Sequence, residues 1–225
     1  MLIIGFGNKA RQGKDTAAEA IWDFYANRNL AGGPTTKVGI FKFANALYYE
    51  VNTALKNWHS NGGDHFLGAL GFADENNKWK YITEIPDWVQ PDPNPEISRL
   101  SPYGKHPKLL QWWGTDFRRA QDPDYWTKKL FATIPANLDV ALVSDVRFPN
   151  EADGIKQRGG YNVNIKRLRE DGTMFYASDR PLWHPSETAL DGYNWDFRLI
   201  NQDHHAALLG EQAVTLCEYL RALNG

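Results

Sequence analysis

A short apolar run that passes directly into a glycine- and lysine-bearing turn, and from there into an alanine-rich periodic segment, constrains this chain most. Leu2-Ile3-Ile4-Gly5-Phe6 is followed without a break by Gly7-Asn8-Lys9-Ala10-Arg11-Gln12-Gly13-Lys14-Asp15-Thr16, and Ala17-Ala18-Glu19-Ala20-Ile21-Trp22 opens the periodic segment. Strand, turn and helix in that order are the context in which a phosphate-binding loop has meaning. The backbone N–H groups of such a loop, with the dipole of the helix it opens, form a concave anion site. Lys14 would reach the outer phosphates. Against the pattern G-x-x-x-x-G-K-[ST] the chain departs twice, with Asn8 at the first glycine and Asp15 after the lysine. Asparagine tolerates positive φ better than most residues. Asp15 and Thr16 are both oxygen donors available to magnesium. The plainer reading, an ordinary turn before a surface helix, does not account for the order of the three pieces.

The rest of the chain alternates in the same way. Strands are expected near residues 2–6, 37–43, 139–145, 161–167 and 197–201. Helices are expected from Ala17 to about residue 26, and over 44–56, 108–119, 151–158 and 206–223, with one more starting at Asp124 or Tyr125. In the last, Ala213, Leu216, Cys217, Leu220 and Leu223 should face inward. This alternation implies an α/β fold with a five-stranded parallel sheet covered by helices on both faces. Ligands of such sheets lie beyond the carboxyl ends of the strands. The loop, Ser144-Asp145-Val146-Arg147, Arg167-Leu168-Arg169 and Asn201 all fall there. Residues 57–107, broken by Gly62-Gly63 and repeated prolines, read as an excursion over the ligand side rather than a structureless loop.

Net charge is −2, which gives no electrostatic case for non-specific nucleic-acid or membrane partners. Cys217, the single cysteine, excludes an intrachain disulfide and suits a reducing compartment. No apolar run reaches the length of a membrane span, so a cytoplasmic protein is expected. His59, His65, His106, His184, His204 and His205 show no metal spacing, and zinc is not expected. Asp145 admits two readings, a second carboxylate at a magnesium-phosphate site or a helix-capping aspartate. Arg11, Arg119, Arg147, Arg167, Arg169 and Arg180 exceed what one nucleotide needs, and transfer between two phosphates calls for such donors. No general base, Asp-His pair or nucleophile elbow is evident. A phosphate-monoester acceptor, with a second pKa of ~6, needs none.

Several motifs then share one order: Gly13-Lys14-Asp15-Thr16, Phe43-Ala44 with Leu47, Leu110-Gln111-Trp112-Trp113-Gly114-Thr115 with Arg119, Ser144-Asp145-Val146-Arg147-Phe148-Pro149-Asn150-Glu151-Ala152, and His184-Pro185-Ser186-Glu187. Together they resemble the deoxynucleoside monophosphate kinases of tailed bacteriophages, within the P-loop kinase superfamily. The likeness runs over almost the whole chain, least in 57–107. It implies a P-loop NTPase fold with an acceptor-binding insertion at 44–118 and a lid at 168–187. It also implies transfer of the γ-phosphoryl group of ATP, with Mg2+, to a deoxynucleoside 5′-monophosphate, in the cytoplasm of a host cell if the source is a phage. By the same resemblance, Arg11, Gly13, Lys14, Asp15, Thr16, Arg169 and Asn201 would hold the donor nucleotide, with Asn201 at the adenine. Phe43, Trp112, Arg119, Arg147 and Glu187 would hold the acceptor. Lys14, Arg119, Arg147 and Asp145 would act in catalysis, with Asp15, Thr16 and Asp145 toward the metal. Trp112 and Trp113 either stack on the acceptor base or fill a core. Small-molecule nucleotides are the expected partners, and related enzymes suggest a homodimer. Alternatives are a P-loop kinase for phosphomevalonate or a coenzyme precursor, and a regulatory protein that binds ATP without catalysis.

Overall fold

Strand β1 (Leu2–Gly7) is buried along its whole length. A strand without a polar face needs a covered neighbour on each side, and the chain supplies both. In this computed structural model, which describes residues 1–60, 71–73, 79–81, 107–178 and 182–224, β1 lies at the centre of a five-stranded sheet. The other members are β2 (Val38–Phe41), β5 (Val140–Val146), β6 (Tyr161–Leu168) and β7 (Phe197–Gln202), in the order β2-β5-β1-β6-β7. All the pairings are parallel. The α/β fold with helices on the sheet is as expected, and it is consistent with a P-loop kinase fold.

The period of two along β1 separates the two faces. Leu2, Ile4 and Phe6 join Val140, Leu142, Val163 and Ile165 in one core, closed by Ala17, Ile21 and Tyr25 of α1 (Lys14–Leu30) and Leu209, Ala213 and Cys217 of α7 (Ala206–Asn224). The opposite face meets α5 (Pro149–Lys156). A Cβ on Gly5 would stand 2.4 Å from Ile155 Cδ1 and 2.7 Å from Asn162 Oδ1. Thr127 and Phe131 of α4 (Tyr125–Thr133) approach Gly154 of α5 in turn.

The described chain divides into two compact units, Met1–Phe43 with Thr127–Gly225, and Ala44–Trp126. The second contains most of α2 (Phe43–Ser60), a short antiparallel pair β3 (Gly71–Ala73) and β4 (Trp79–Tyr81), and α3 (Pro107–Gln111). Glu50 is its organising group: Trp113 Nε1 donates to it at 3.1 Å and Arg118 Nε at 3.0 Å, and the Tyr125 hydroxyl also donates to it.

Several boundaries differ from expectation. The helix foreseen over 108–119 is α-helical only to Gln111 and π-helical over Trp112–Arg119. The i→i+5 pattern brings residues five apart onto one side, which lets Trp113 and Arg118 both reach Glu50. The second strand stops at Phe41, because Phe43 N–H is taken by Asp145 Oδ1 at 2.8 Å and the helix begins there. Helix α1 starts earlier than the apolar period, at Lys14, since Gly13 at φ +104° supplies its N-terminal turn. Pro149, at the first position of α5, starts that helix two residues before Glu151. Leu223, expected to face inward, is exposed in the last turn of α7. Most of 57–107, with His65 and His106, and Arg180 lie outside the described residues. Gly5→Ala should cost about 1–3 kcal/mol by overpacking against Ile155. Urea unfolding checks this, and an unchanged midpoint would show that α5 does not pack on β1 as described.

Candidate active site

The loop between β1 and α1 has three residues of positive φ, Asn8 (117°), Arg11 (56°) and Gly13 (104°). Asn8 thus takes the conformation that glycine usually supplies, and its side chain adds what glycine lacks. Its Nδ2 donates to Asn164 Oδ1 at 3.0 Å and Ile165 O at 2.8 Å, fixing the start of the loop to β6. Gln12 is wholly buried. Its Oε1 accepts from Arg167 N at 2.5 Å, and its Nε2 donates to Phe175 O at 2.9 Å. Asn201 Nδ2 donates to Gln12 O at 2.9 Å. At Gly13 a Cβ would lie 2.7 Å from both Asn201 Nδ2 and Leu209 Cδ2, so neither backbone angle nor space admits another residue.

Lys14 is buried, and its Nζ donates to Asn8 O at 3.1 Å and Lys9 O at 2.5 Å. Burial, and after it the neighbouring Arg147, push its pKa down to about 7, against the opposing pull of Glu187, Asp145 and Asp15. An ammonium under that stress is stabilised by any incoming polyanion.

Glu187, whose side chain is only 2% exposed, joins the loop to Arg147. One carboxylate oxygen accepts from Ala10 N at 2.8 Å and the other from Arg147 NH1 at 2.7 Å. Arg147 also donates to Ser186 O at 3.2 Å, while Lys9 Nζ donates to Glu187 O at 2.5 Å and Asp191 Oδ1 at 2.7 Å. The backbone beneath Arg147 is held by buried Glu151, which accepts from Arg147 N at 2.7 Å and Phe148 N at 3.1 Å. The short helix α6 (Pro185–Thr188) is therefore pinned to the loop by charge-assisted bonds.

Asp15 Oδ1 accepts from Ser144 Oγ at 2.7 Å and pairs with Lys42 Nζ at 2.7 Å. Partial burial works against its ionisation, but the bonds from Lys42 and Ser144 prevail and hold its pKa below the ordinary value. Asp15 is thus a position that already holds a cation, and with Ser144 and the exposed Thr16 it offers the hard oxygen donors that magnesium prefers. Among the described residues no three His, Cys, Asp or Glu side chains gather into a resident metal site.

The structure brings together Gly13, Lys14, Asp15, Asp145, Arg147 and Glu187, all in the first unit. Asp145 does cap a helix, since it accepts from Phe43 N at the start of α2. Asn201 acts on the loop itself, its Nδ2 donating to Gln12 O. Arg11 and Arg169 are exposed, and Arg167 is bound to Asp203 at 2.5 Å. Arg119 and Trp112 belong to the second unit, where Trp112 stacks on Phe117 at 5.3 Å and Trp113 is fully buried. Sequence reasoning missed Gln12, Lys42 and Glu151 as site-building residues. Gln12 lay inside the loop motif and Glu151 inside the Ser-Asp-Val-Arg-Phe-Pro-Asn-Glu run, but a buried polar partner has no sequence period to reveal it. Lys42 stands at a strand end, where the parallel-sheet rule could have found it.

No family model matches the chain. Among curated proteins it is similar to one from Acanthamoeba polyphaga mimivirus named "Putative deoxynucleotide monophosphate kinase", at 33% identity over 116 residues, covering 42% of this chain and 52% of that protein. The likeness is to a kinase. The chain spans about half the length of that relative. Among the described residues no helix is long and apolar enough to cross a membrane.

Because burial holds the Lys14 pKa down at about 7 and a bound polyphosphate favours its charged form, binding above that pH must take up a proton. Affinity for ATP should therefore fall as pH rises above about 7. Calorimetry at pH ~8 in two buffers of different ionisation heat should show uptake approaching one proton, absent in Lys14→Met. No uptake by the wild type would mean that Lys14 is already charged before ATP binds.

Proposed function

We propose that this chain is a deoxynucleoside monophosphate kinase, which transfers the γ-phosphoryl group of ATP to a deoxynucleoside 5′-monophosphate to give a diphosphate and ADP, as a step in supplying DNA precursors. One observation carries the reading. Around buried Lys14, each nearby carboxylate is engaged by donors: Asp15 by Lys42 and Ser144, Asp145 by Phe43 N, and Glu187 by Ala10 N and Arg147. Their known partners are charged or N–H and O–H donors, so each carboxylate is already engaged in holding the site together. A site so arranged suits an acceptor that arrives already as an anion, and a phosphate monoester with its second pKa at ~6 does so at neutral pH. The name of the mimivirus relative supports the same reaction.

In this reading Lys14 and the loop N–H groups hold the donor phosphates. The guanidinium of Arg147, aimed by Glu187 and Ser186 O, offsets charge on the phosphoryl oxygens. The bond from γ-phosphorus to its bridging oxygen breaks as an oxygen of the acceptor phosphate forms the new one, so no proton has to be removed from the acceptor. Asp15 and Thr16 would hold magnesium, which neutralises charge on the outer phosphates when bound. The region 44–118, with Phe43, Trp112 and Arg119, would receive the acceptor. The segment 168–187, with Arg169, would cover the site and keep water from competing.

ADP release measured with each common deoxynucleoside monophosphate, with phosphomevalonate and with no acceptor tests the proposal. Turnover should depend on at least one of the nucleotides. Turnover with phosphomevalonate alone, or none that depends on any acceptor, would contradict it. Lys14→Ala should lower kcat by roughly 100–1,000-fold, and Arg147→Ala should depress kcat far more than ATP affinity. A fall in ATP affinity alone in the second variant would move Arg147 to the donor side.

A further inference from the structure

A cavity of about 530 Å³ opens on the α5 face of β6 and β7, bounded by Asn8 and Lys9 of the loop and by Met174, Tyr176 and Leu182 of the covering segment, and the proposed reaction places no ligand in it. Its floor is set by strand register. Asn164 pairs with Arg198, and Lys166 lies two residues further along β6, so the three side chains emerge on one face of adjacent strands. That face is the one on which Asn162 reaches Ala152 O of α5, opposite the α1–α7 core. Among the described residues the side chains of Lys166 and Arg198 have neither a hydrogen-bond nor an ion-pair partner. Lys9, on the same cavity, differs because Asp191 neutralises it at 2.7 Å.

Opposite these cations the wall is aromatic. Tyr176, 42% exposed, Tyr193 and Trp195 line the cavity. The last two pack edge to face at 5.3 Å, and the Tyr193 hydroxyl is fixed by Asp153 at 2.9 Å. Trp195 lies so close to the end of β1 that a Cβ on Gly7 would be 2.2 Å from its Cη2. The indole is therefore held in place before any ligand arrives. Two unpartnered cations beside a rigid aromatic wall, in a cavity within the size range of small-molecule sites, match a ligand with a phosphate and a planar ring.

We propose that this cavity is a further nucleotide site, separate from the concavity around Lys14 and from the acceptor region of the proposed kinase. Occupancy there acts on the loop through two residues shared by both structures. Asn164, on the cavity floor, accepts the hydrogen bond that fixes Asn8, and Lys9, on its rim, is tied to Glu187 O and Asp191. A nucleotide that draws Lys9 or Asn164 toward its phosphate loosens the first half of the loop, so the site regulates donor binding.

Equilibrium dialysis of the full chain tests this without reference to turnover. The probes are each common deoxynucleoside mono- and triphosphate, and inorganic phosphate, applied to wild type, Lys14→Ala and the pair Lys166→Glu/Arg198→Glu. The milder pair Lys166→Gln/Arg198→Gln serves if the charge-reversed chain fails to fold. Beyond the donor and acceptor sites, wild type should bind a further equivalent of nucleotide that survives in Lys14→Ala and is weakened roughly a hundredfold in the paired variants, as loss of two charge-assisted contacts implies. No equivalent in wild type beyond the donor and acceptor sites, no residual binding in Lys14→Ala, or unchanged binding in the paired variants overturns the proposal. Inorganic phosphate competing as tightly as the nucleotides also overturns it, since the aromatic wall would then contribute nothing. A chain that binds the further nucleotide but transfers no phosphoryl group contradicts the proposed kinase activity and leaves this site standing.

Discussion

Three side-chain amides hold the loop in shape, and the rest of the site depends on them. A loop that must present N–H groups to an anion still has to satisfy its own carbonyls and its buried polar side chains. Asn8 does this toward β6, Gln12 toward β6 and the Phe175 carbonyl, and Asn201 returns from β7 to Gln12 O. Each of these bonds joins residues more than 150 positions apart, so the loop is rigid only because the sheet has closed around it. An orphaned member would cost about 1–3 kcal/mol and release one side of the turn.

On that scaffold the charges are balanced in pairs. Lys14 is stressed by burial and by Arg147, while Glu187 bridges Arg147 to Ala10 N. Asp15 meanwhile keeps a cation beside the start of α1. Arg147 is fixed twice, through its backbone by Glu151 and through its guanidinium by Glu187 and Ser186. An arginine held in this way loses little entropy when an anion arrives, which is what electrostatic preorganisation requires. The carboxylates hold cations and N–H groups in position.

Much of this was legible in the chain itself. The five strands and the helices between them follow from apolar runs and periods, which report burial directly. Strand ends and motif spacing single out Lys14, Asp15, Asp145 and Arg147, the family resemblance adds Glu187, and the structure brings the five side by side. What escaped were groups defined by a distant partner. Gln12 carries no signal that Arg167 N will need its oxygen, and Asn201 looks the same whether it meets a base or a carbonyl of the loop. The π-helical segment at Trp112–Arg119 was hidden for the same reason, since the group that Trp113 and Arg118 share, Glu50, lies some sixty residues upstream. Asp145 reads from the sequence as either a metal-side carboxylate or a cap, and its bond to Phe43 N shows the cap at work.

The central claim is that the turn between β1 and α1 is a polyphosphate cradle. Amide chemical shifts of the full chain, followed as ATP and magnesium are added, test it most directly. The account predicts the largest shifts at the N–H groups of residues 10–16, with Ala10 moving as its bond to Glu187 is exchanged for phosphate. Shifts confined to other parts of the chain, with residues 10–16 unmoved at saturating ATP, would contradict it.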